Sequence, residues 1–441
     1  MKQRNYLFGL VIIGILYFIF GFVTWLNGTL IPFLKVACEL SDFTAYLVTF
    51  AFYISYFVWA LPSSWILRKT GFKNGIAVGL FVMAAGAALF IPAAYSRSYL
   101  LFLVALFILG SGLALMQTAV NPYVTILGPI ESAAKRISIM GICNKVAGVL
   151  APIILGAILL SGIEPMMADI AAAASAEDKA LLLDNLSQRL VTPYTVMMVI
   201  LILLGILVCF TRLPEVKDEE EVGEAASKSI WKYPYLWFGV VAMFFYVGVE
   251  VIAGDTIIQY GMSIGVEQES AKYFTSLTLI SMVVGYFIGV ALIPKVINQR
   301  QALVGCSVLG ILLTVVAVLM PSDLYFSFPF IDLATFTAID MVIPYTVFFV
   351  ALLGVANSLV WPAIWPLSLD GLGSHTKTAS ALIIMSIAGG ALLPLAYGKL
   401  AEGVGTQQAY WIALPCYLVI LAFAIWGCKW GKGDKTLDGQ R

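Results

Sequence analysis

The sequence predicts an all-α membrane protein of twelve transmembrane helices, arranged as two pseudo-symmetric six-helix halves with both termini cytoplasmic. Three observations predict it. Of 441 residues, 61% are hydrophobic and 11% charged, against about 25% charged in soluble domains. Apolar runs of about 20 residues, enough for a helix to cross a bilayer, recur along the whole chain. The two halves also share residues at constant spacing.

The runs fall at 7–34, 43–66, 74–95, 99–127, 137–163, 191–211, 235–261, 271–294, 301–320, 341–366, 378–399 and 408–428. Met1-Lys2-Gln3-Arg4 before the first run imitates a signal peptide, but 7–34 is too long for an h-region and no A-x-A site follows it. It reads as a retained first span. With both ends inside, the cytoplasmic segments hold 18 Lys and Arg, the outer loops six, and Lys145 stays in the membrane. That asymmetry fixes the orientation. The long polar stretch on the same side contains Lys217-Asp218-Glu219-Glu220-Glu221. It makes 213–233 a linker between halves 1–212 and 234–441. On the outer side, the Ala- and Leu-rich segment 164–190 is expected to carry a short surface helix without chemistry.

Gly21 through Thr29 aligns ungapped with Gly248 through Thr256, keeping Gly first and Thr last. Lys135, Gly148 and Pro152 of the fifth span match Lys377, Gly390 and Pro394 of the eleventh at one offset. Parallel six-helix repeats characterise a large class of transporters whose substrate site lies at mid-membrane between the halves.

Other classes fit poorly. Net charge is zero and no basic tract is present, which argues against nucleic acid. The six cysteines form no CxxC pair and His375 is the one histidine, so no Cys/His metal site is expected and the cysteines read as packing residues. No nucleophile–base set or phosphate loop suggests an enzyme, and no cofactor is implied.

Four segments carry a family resemblance: Leu26-Asn27-Gly28-Thr29-Leu30-Ile31-Pro32, Ala119-Val120-Asn121-Pro122-Tyr123-Val124-Thr125-Ile126-Leu127-Gly128-Pro129 with Arg136, Tyr246-Val247-Gly248-Val249-Glu250, and Asp370-Gly371-Leu372-Gly373-Ser374-His375-Thr376-Lys377. On these the chain resembles the major facilitator superfamily, specifically the fucose/glucose/galactose:proton symporters. The resemblance covers essentially the whole chain. It implies the major facilitator fold and sugar import across a bacterial inner membrane by a multi-pass protein using the proton gradient. The family commonly has Asp where this chain has Gly28. Fucose-type members have Glu where it has Gln117, whereas glucose/galactose-type members carry Gln. After Asn144, the family's small polar residue is Lys145 here.

Three ionisable residues, Lys145, Glu250 and Asp255, lie within spans, where each charge costs roughly 3 kcal/mol to insert. A 1.5 Å rise per residue puts Lys145 roughly 12 Å deep, Glu250 about 18 Å and Asp255 about 25 Å. A lysine side chain spans the first gap and not the second, so Lys145 and Glu250 are the expected buried ion pair and Asp255 is left alone. On a regular helix residues 250 and 255 point about 140° apart, unless Gly248 and Gly254 bend it. Under the internal alignment Asp255 is the symmetry mate of Gly28. An unpaired carboxylate in a low dielectric can take and release a proton, which makes Asp255 the proton-coupling candidate.

Sugars need amides and hydroxyls beside aromatic faces. Asn27 with Trp25, Gln117 with Asn121, Asn144, Tyr246, Gln259, and Asn357 with Trp361 are the candidate substrate-binding residues. Arg68-Lys69-Thr70-Gly71-Phe72-Lys73, Lys135-Arg136 and Lys377 suit either a gate or positive-inside anchoring. The expected activity is proton-coupled monosaccharide import by alternating access. Facilitated diffusion and sodium coupling remain open, with a transport-inactive sensor the remaining class. The expected partners are a monosaccharide, the proton (or sodium) and the lipid bilayer, and a monomer is expected.

Overall fold

The computed structural model describes residues 2–126, 133–160, 162–211, 230–293, 296–332, 337–372 and 375–431. Among these, twelve helices are long and apolar enough to cross a membrane. Spans one to six are Gly9–Ala37, Asp42–Leu67, Lys69–Ser96, Tyr99–Val120, Ile139–Leu159 and Ala176–Phe210. Spans seven to twelve are Pro234–Asp255, Phe274–Leu292, Gln299–Leu319, Tyr345–Leu369, Thr378–Val404 and Thr406–Lys429. Large apolar side chains such as Leu203, Phe210, Phe287 and Leu312 stand exposed on the helix exteriors, where a soluble protein would place polar groups. This is a multi-pass membrane protein.

Spans two and three run as one helical stretch, Leu47–Ser96, interrupted where Gly71 takes φ 75° and ψ 166°. A side chain there would be strained, which is why glycine occupies this tight turn. The side chains of Arg68, Lys135, Arg136 and Lys377, and most of the 213–233 linker, lie outside the described residues.

The first six spans and the last six meet along two seams, span five against span eight and span two against span eleven. Spans five and eleven correspond in the internal repeat, so the seams are copies of one packing. Between them span one meets span seven. Both of these central spans are broken. Span one stops at Thr24 and resumes at Asn27; span seven stops at Asp255 and continues as Ile257–Ser263. The interruptions fall about one turn apart in the repeat and bring backbone polar groups to the interface between the halves, where irregular backbone is tolerated in a membrane protein.

Three expectations need correction. The run 7–34 is two helical segments extending to Ala37 rather than one continuous helix. Residues 164–190 hold two helices, Ile163–Ala172 and Ala176–Gln188. The second starts at Ser175, whose hydroxyl accepts from the backbone of Asp178, and is tied down by a Lys179–Glu39 ion pair and by Arg97–Asp184 at 3.3 Å. Finally, span ten begins at Tyr345, not at 341, because Pro344 caps it. Residues 341–344 belong to a hairpin, Tyr325–Asp332 paired antiparallel with Thr337–Pro344. Phe326, Phe328 and Phe330 alternate along one strand, as a face with period two requires, opposite Ile343, Met341 and Ile339. The hairpin and the helix pair both lie at the end of the bundle opposite the termini, here called the distal end.

Candidate functional site

Lys145 of span five reaches across to span seven. Its Nζ lies 2.7 Å from Glu250 Oε1, and both side chains are about nine-tenths buried. This hydrogen-bonded pair joins the two halves of the chain at the seam. The ammonium also stands 4.6 Å from the centroid of the Trp25 ring. Trp25 occupies the break in span one and is 2% exposed. Tyr246, one turn before Glu250, directs its hydroxyl at that carboxylate. Tyr53 of span two lies within electrostatic reach of both Glu250 and Asp255.

Span seven stays helical through Gly248 and Gly254, so these glycines do not bend it. They permit close approach instead: a Cβ on Gly248 would come within 2.0 Å of Leu393, and one on Gly254 within 2.3 Å of Trp25. Because the helix is regular up to its end, Asp255 turns away from the Lys145 pair. It is fully buried at 0% exposure. Thr49 of span two and the backbone of Gly28 face its carboxylate; neither carboxylate oxygen, nor Thr49 Oγ1, makes a hydrogen bond among the described residues.

The position facing the acid is thus its own symmetry mate. Gly28 packs so tightly on spans seven and eight that an added Cβ would lie 2.7 Å from Thr275 Oγ1 and 3.2 Å from the Gly254 carbonyl oxygen. Thr275 itself donates to that carbonyl at 2.6 Å. Among the described residues Asp255 is the buried carboxylate beside the two central breaks, and Gly28 faces it.

The remaining candidates fall into separate groups. Asn27 is buried with its Nδ2 unpartnered. Gln117, whose Oε1 is likewise unpartnered, lines a cavity of about 10 Å³ with Tyr17 and Phe20, space for about one water. Asn144 donates to the Tyr17 carbonyl at 3.3 Å. The side chain of Asn121 lies outside the described residues. Asn357 accepts from the Tyr417 hydroxyl at 2.9 Å, and the break after Ser358 separates it from Trp361. Trp361 stacks on Trp365 at 5.6 Å and approaches the Tyr246 ring at 6.4 Å. Gln259 reaches towards the distal end, where its Nε2 donates to Asp42 Oδ1 at 3.1 Å.

Asp42, which the sequence did not single out, is also 2.5 Å from Lys35 Nζ. It heads the short helix Asp42–Ala45, and next to it the Phe43 N–H donates to Glu402 of span eleven at 3.2 Å. Tyr46 then stacks edge-on against Tyr397. These contacts close the distal end across the two halves. Among the described residues no group of His, Cys, Asp and Glu is arranged to hold a metal ion. Among the described residues the site offers hydrogen-bonding amides, aromatic faces, one buried ion pair and one buried acid without a hydrogen bond.

The Major Facilitator Superfamily model matches residues 13–394. The chain belongs to that superfamily. A glucose/galactose transporter of Brucella abortus (strain 9-941) is 34% identical over 97% of this chain and 96% of its own length. The L-fucose-proton symporter of Escherichia coli (strain K12) is 29% identical over 96% and 94%. The crystal structure of an E. coli fucose:proton symporter superposes with a TM-score of 0.71 at 27% identity, covering 96% of this chain and 98% of that one. This superfamily member therefore shares both fold and full length with these relatives.

Proposed function

We propose that this superfamily member imports a monosaccharide of the glucose, galactose or fucose class across a bacterial inner membrane, by alternating access and in symport with a proton carried by Asp255. The names of its relatives support the sugar class. The observation that carries the coupling is the unpaired, fully buried Asp255 at the meeting point of the two central breaks. Read with cytoplasmic termini, as the Lys and Arg distribution favours, the distal end is the outer one. It is closed by Asp42 on Gln259 and by Phe43 on Glu402. Parting these contacts admits the sugar and gives outside protons access to Asp255. Protonation removes the charge whose burial opposes movement of span one against span seven. Lys145, Glu250, Tyr246, Asn27, Gln117, Asn121, Asn144, Gln259, Asn357 and Trp361 supply the sugar's donors, acceptors and aromatic faces. No reaction chemistry is assigned.

The test is uptake in proteoliposomes under an imposed pH gradient. Asp255→Asn is expected to lose gradient-driven accumulation while keeping sugar counterflow. Undiminished accumulation in that variant removes Asp255 as the proton site. A second reading, facilitated diffusion, draws on the built-in Lys145 cation that neutralises Glu250. It prevails if the wild type never concentrates sugar under a proton or a sodium gradient; sodium-driven accumulation alone would replace the proton as the coupling ion.

A further inference from the structure

Trp25 lies against both halves of the chain, beside Lys145 and the helix end that carries Asp255. A Cβ on Gly148 of span five would come within 2.5 Å of indole Cδ1, and one on Gly254 of span seven within 2.3 Å of Cζ3. The indole is therefore seated at its two ends in two glycine notches, one from each half of the chain. Gly254 adjoins Asp255, and Gly148 lies one turn beyond Lys145. The surroundings are dry: Trp25 clusters with buried Leu279 and Met282 and with Val149. Lys145 Nζ, 4.6 Å from the ring centroid, is at the same time 2.7 Å from Glu250.

The ammonium thus has two holders, a carboxylate and a π face. A buried cation stripped of its only counter-charge is strongly destabilising. Glu250 can accept a sugar hydroxyl only if Lys145 keeps a second favourable contact while the pair loosens, and a desolvated indole face provides one. We infer that Trp25 is a positioning residue that holds the Lys145 ammonium by a cation–π contact when Glu250 turns to substrate, and that its notches tie that hold to the closeness of the two halves. The inference rests on Lys145 and Glu250 belonging to the sugar site.

The test separates π electrostatics from shape. Full-length protein in nanodiscs carries tryptophan at position 25 with zero to three ring fluorines, which weaken the π face at nearly constant volume. Binding of labelled D-glucose, D-galactose and L-fucose is then measured. Affinity is expected to fall stepwise with each fluorine, about tenfold over the series. Trp25→Phe should retain most of the affinity and Trp25→Leu should lose it. A flat fluorine series in the Lys145 protein overturns the inference, even if Trp25→Leu abolishes binding, because the ring would then act by volume alone. The thermal midpoint of each fluorinated protein without sugar gives a second reading of the same contact: a stepwise fall that needs Lys145 supports it, and none overturns it. If the wild type binds none of the three sugars, the sugar reading itself fails, and this inference with it.

Discussion

Glu250 and Asp255 are carboxylates five residues apart on one helix, both buried, and they live in opposite circumstances. Glu250 is paired. It has an ammonium at 2.7 Å and a tyrosine hydroxyl directed at it, and the ammonium is steadied by an indole ring. Asp255 has a threonine and a backbone N–H facing it without a hydrogen bond to either carboxylate oxygen. In a low-dielectric interior the first arrangement commits a charge to a partner, whereas the second leaves a carboxylate without one. The difference arises from the helix itself, since five residues of regular helix carry the second side chain to another face. One helix thus carries one paired and one unpaired carboxylate.

This contrast can be broken experimentally, and the largest effect should come from the pair. Lys145→Ala or Glu250→Ala leaves its partner buried and uncompensated, at a cost of about 3–5 kcal/mol. Each single variant is expected to show a lowered thermal midpoint in detergent and damaged sugar binding, and the double variant Lys145→Met, Glu250→Leu should recover much of the stability without the binding. Two near-normal single variants would make the pair incidental. Next in size is the glycine facing the acid. Gly28→Ala pushes a methyl into Thr275 and should cost about 1–3 kcal/mol, relieved in part by Thr275→Ala; an unchanged midpoint would show that the central breaks are not tightly seated.

Asp255→Asn should behave oppositely to the pair variants. Neutralising an unpaired buried carboxylate leaves the thermal midpoint unchanged or raises it by about 1 kcal/mol equivalent, while concentrative uptake is lost. A large destabilisation would mean that Asp255 has a structural partner after all. The smallest effect belongs to the distal end. Gln259→Ala removes one hydrogen bond from Asp42, which keeps Lys35, so about 0.5–1 kcal/mol is at stake. Its readout is conformational: a spectroscopic label pair across the distal end should report a larger open fraction, and an unchanged distribution would mean that Gln259 is no latch.

Much of the architecture was legible because lipid imposes a length on every span, and twelve runs of that length are hard to misread. Depth along a helix, together with the reach of one lysine, was enough to place Lys145 beside Glu250 and to leave Asp255 apart. What lies between helices was less legible. Gly148 and Gly254 are distant in sequence and reveal their common purpose only when Trp25 fills both notches. Asp42 meets Gln259 across 217 positions, a contact that no local pattern announces. Gly254 could have let the helix bend, as a glycine permits, yet here its missing side chain serves packing. The hairpin did carry a signal, the alternation of Phe326, Phe328 and Phe330, but apolar residues running on into span ten hid its second strand.

The narrow fit of Gly28 against Thr275 has a consequence for building hybrids from this family. A chimera joining this second half to a first half with an acid at that position would bring a second carboxylate to a place where even a methyl would lie 2.7 Å from Thr275 Oγ1. Halves that fold alike are therefore not interchangeable parts, because the site is completed by what one half omits.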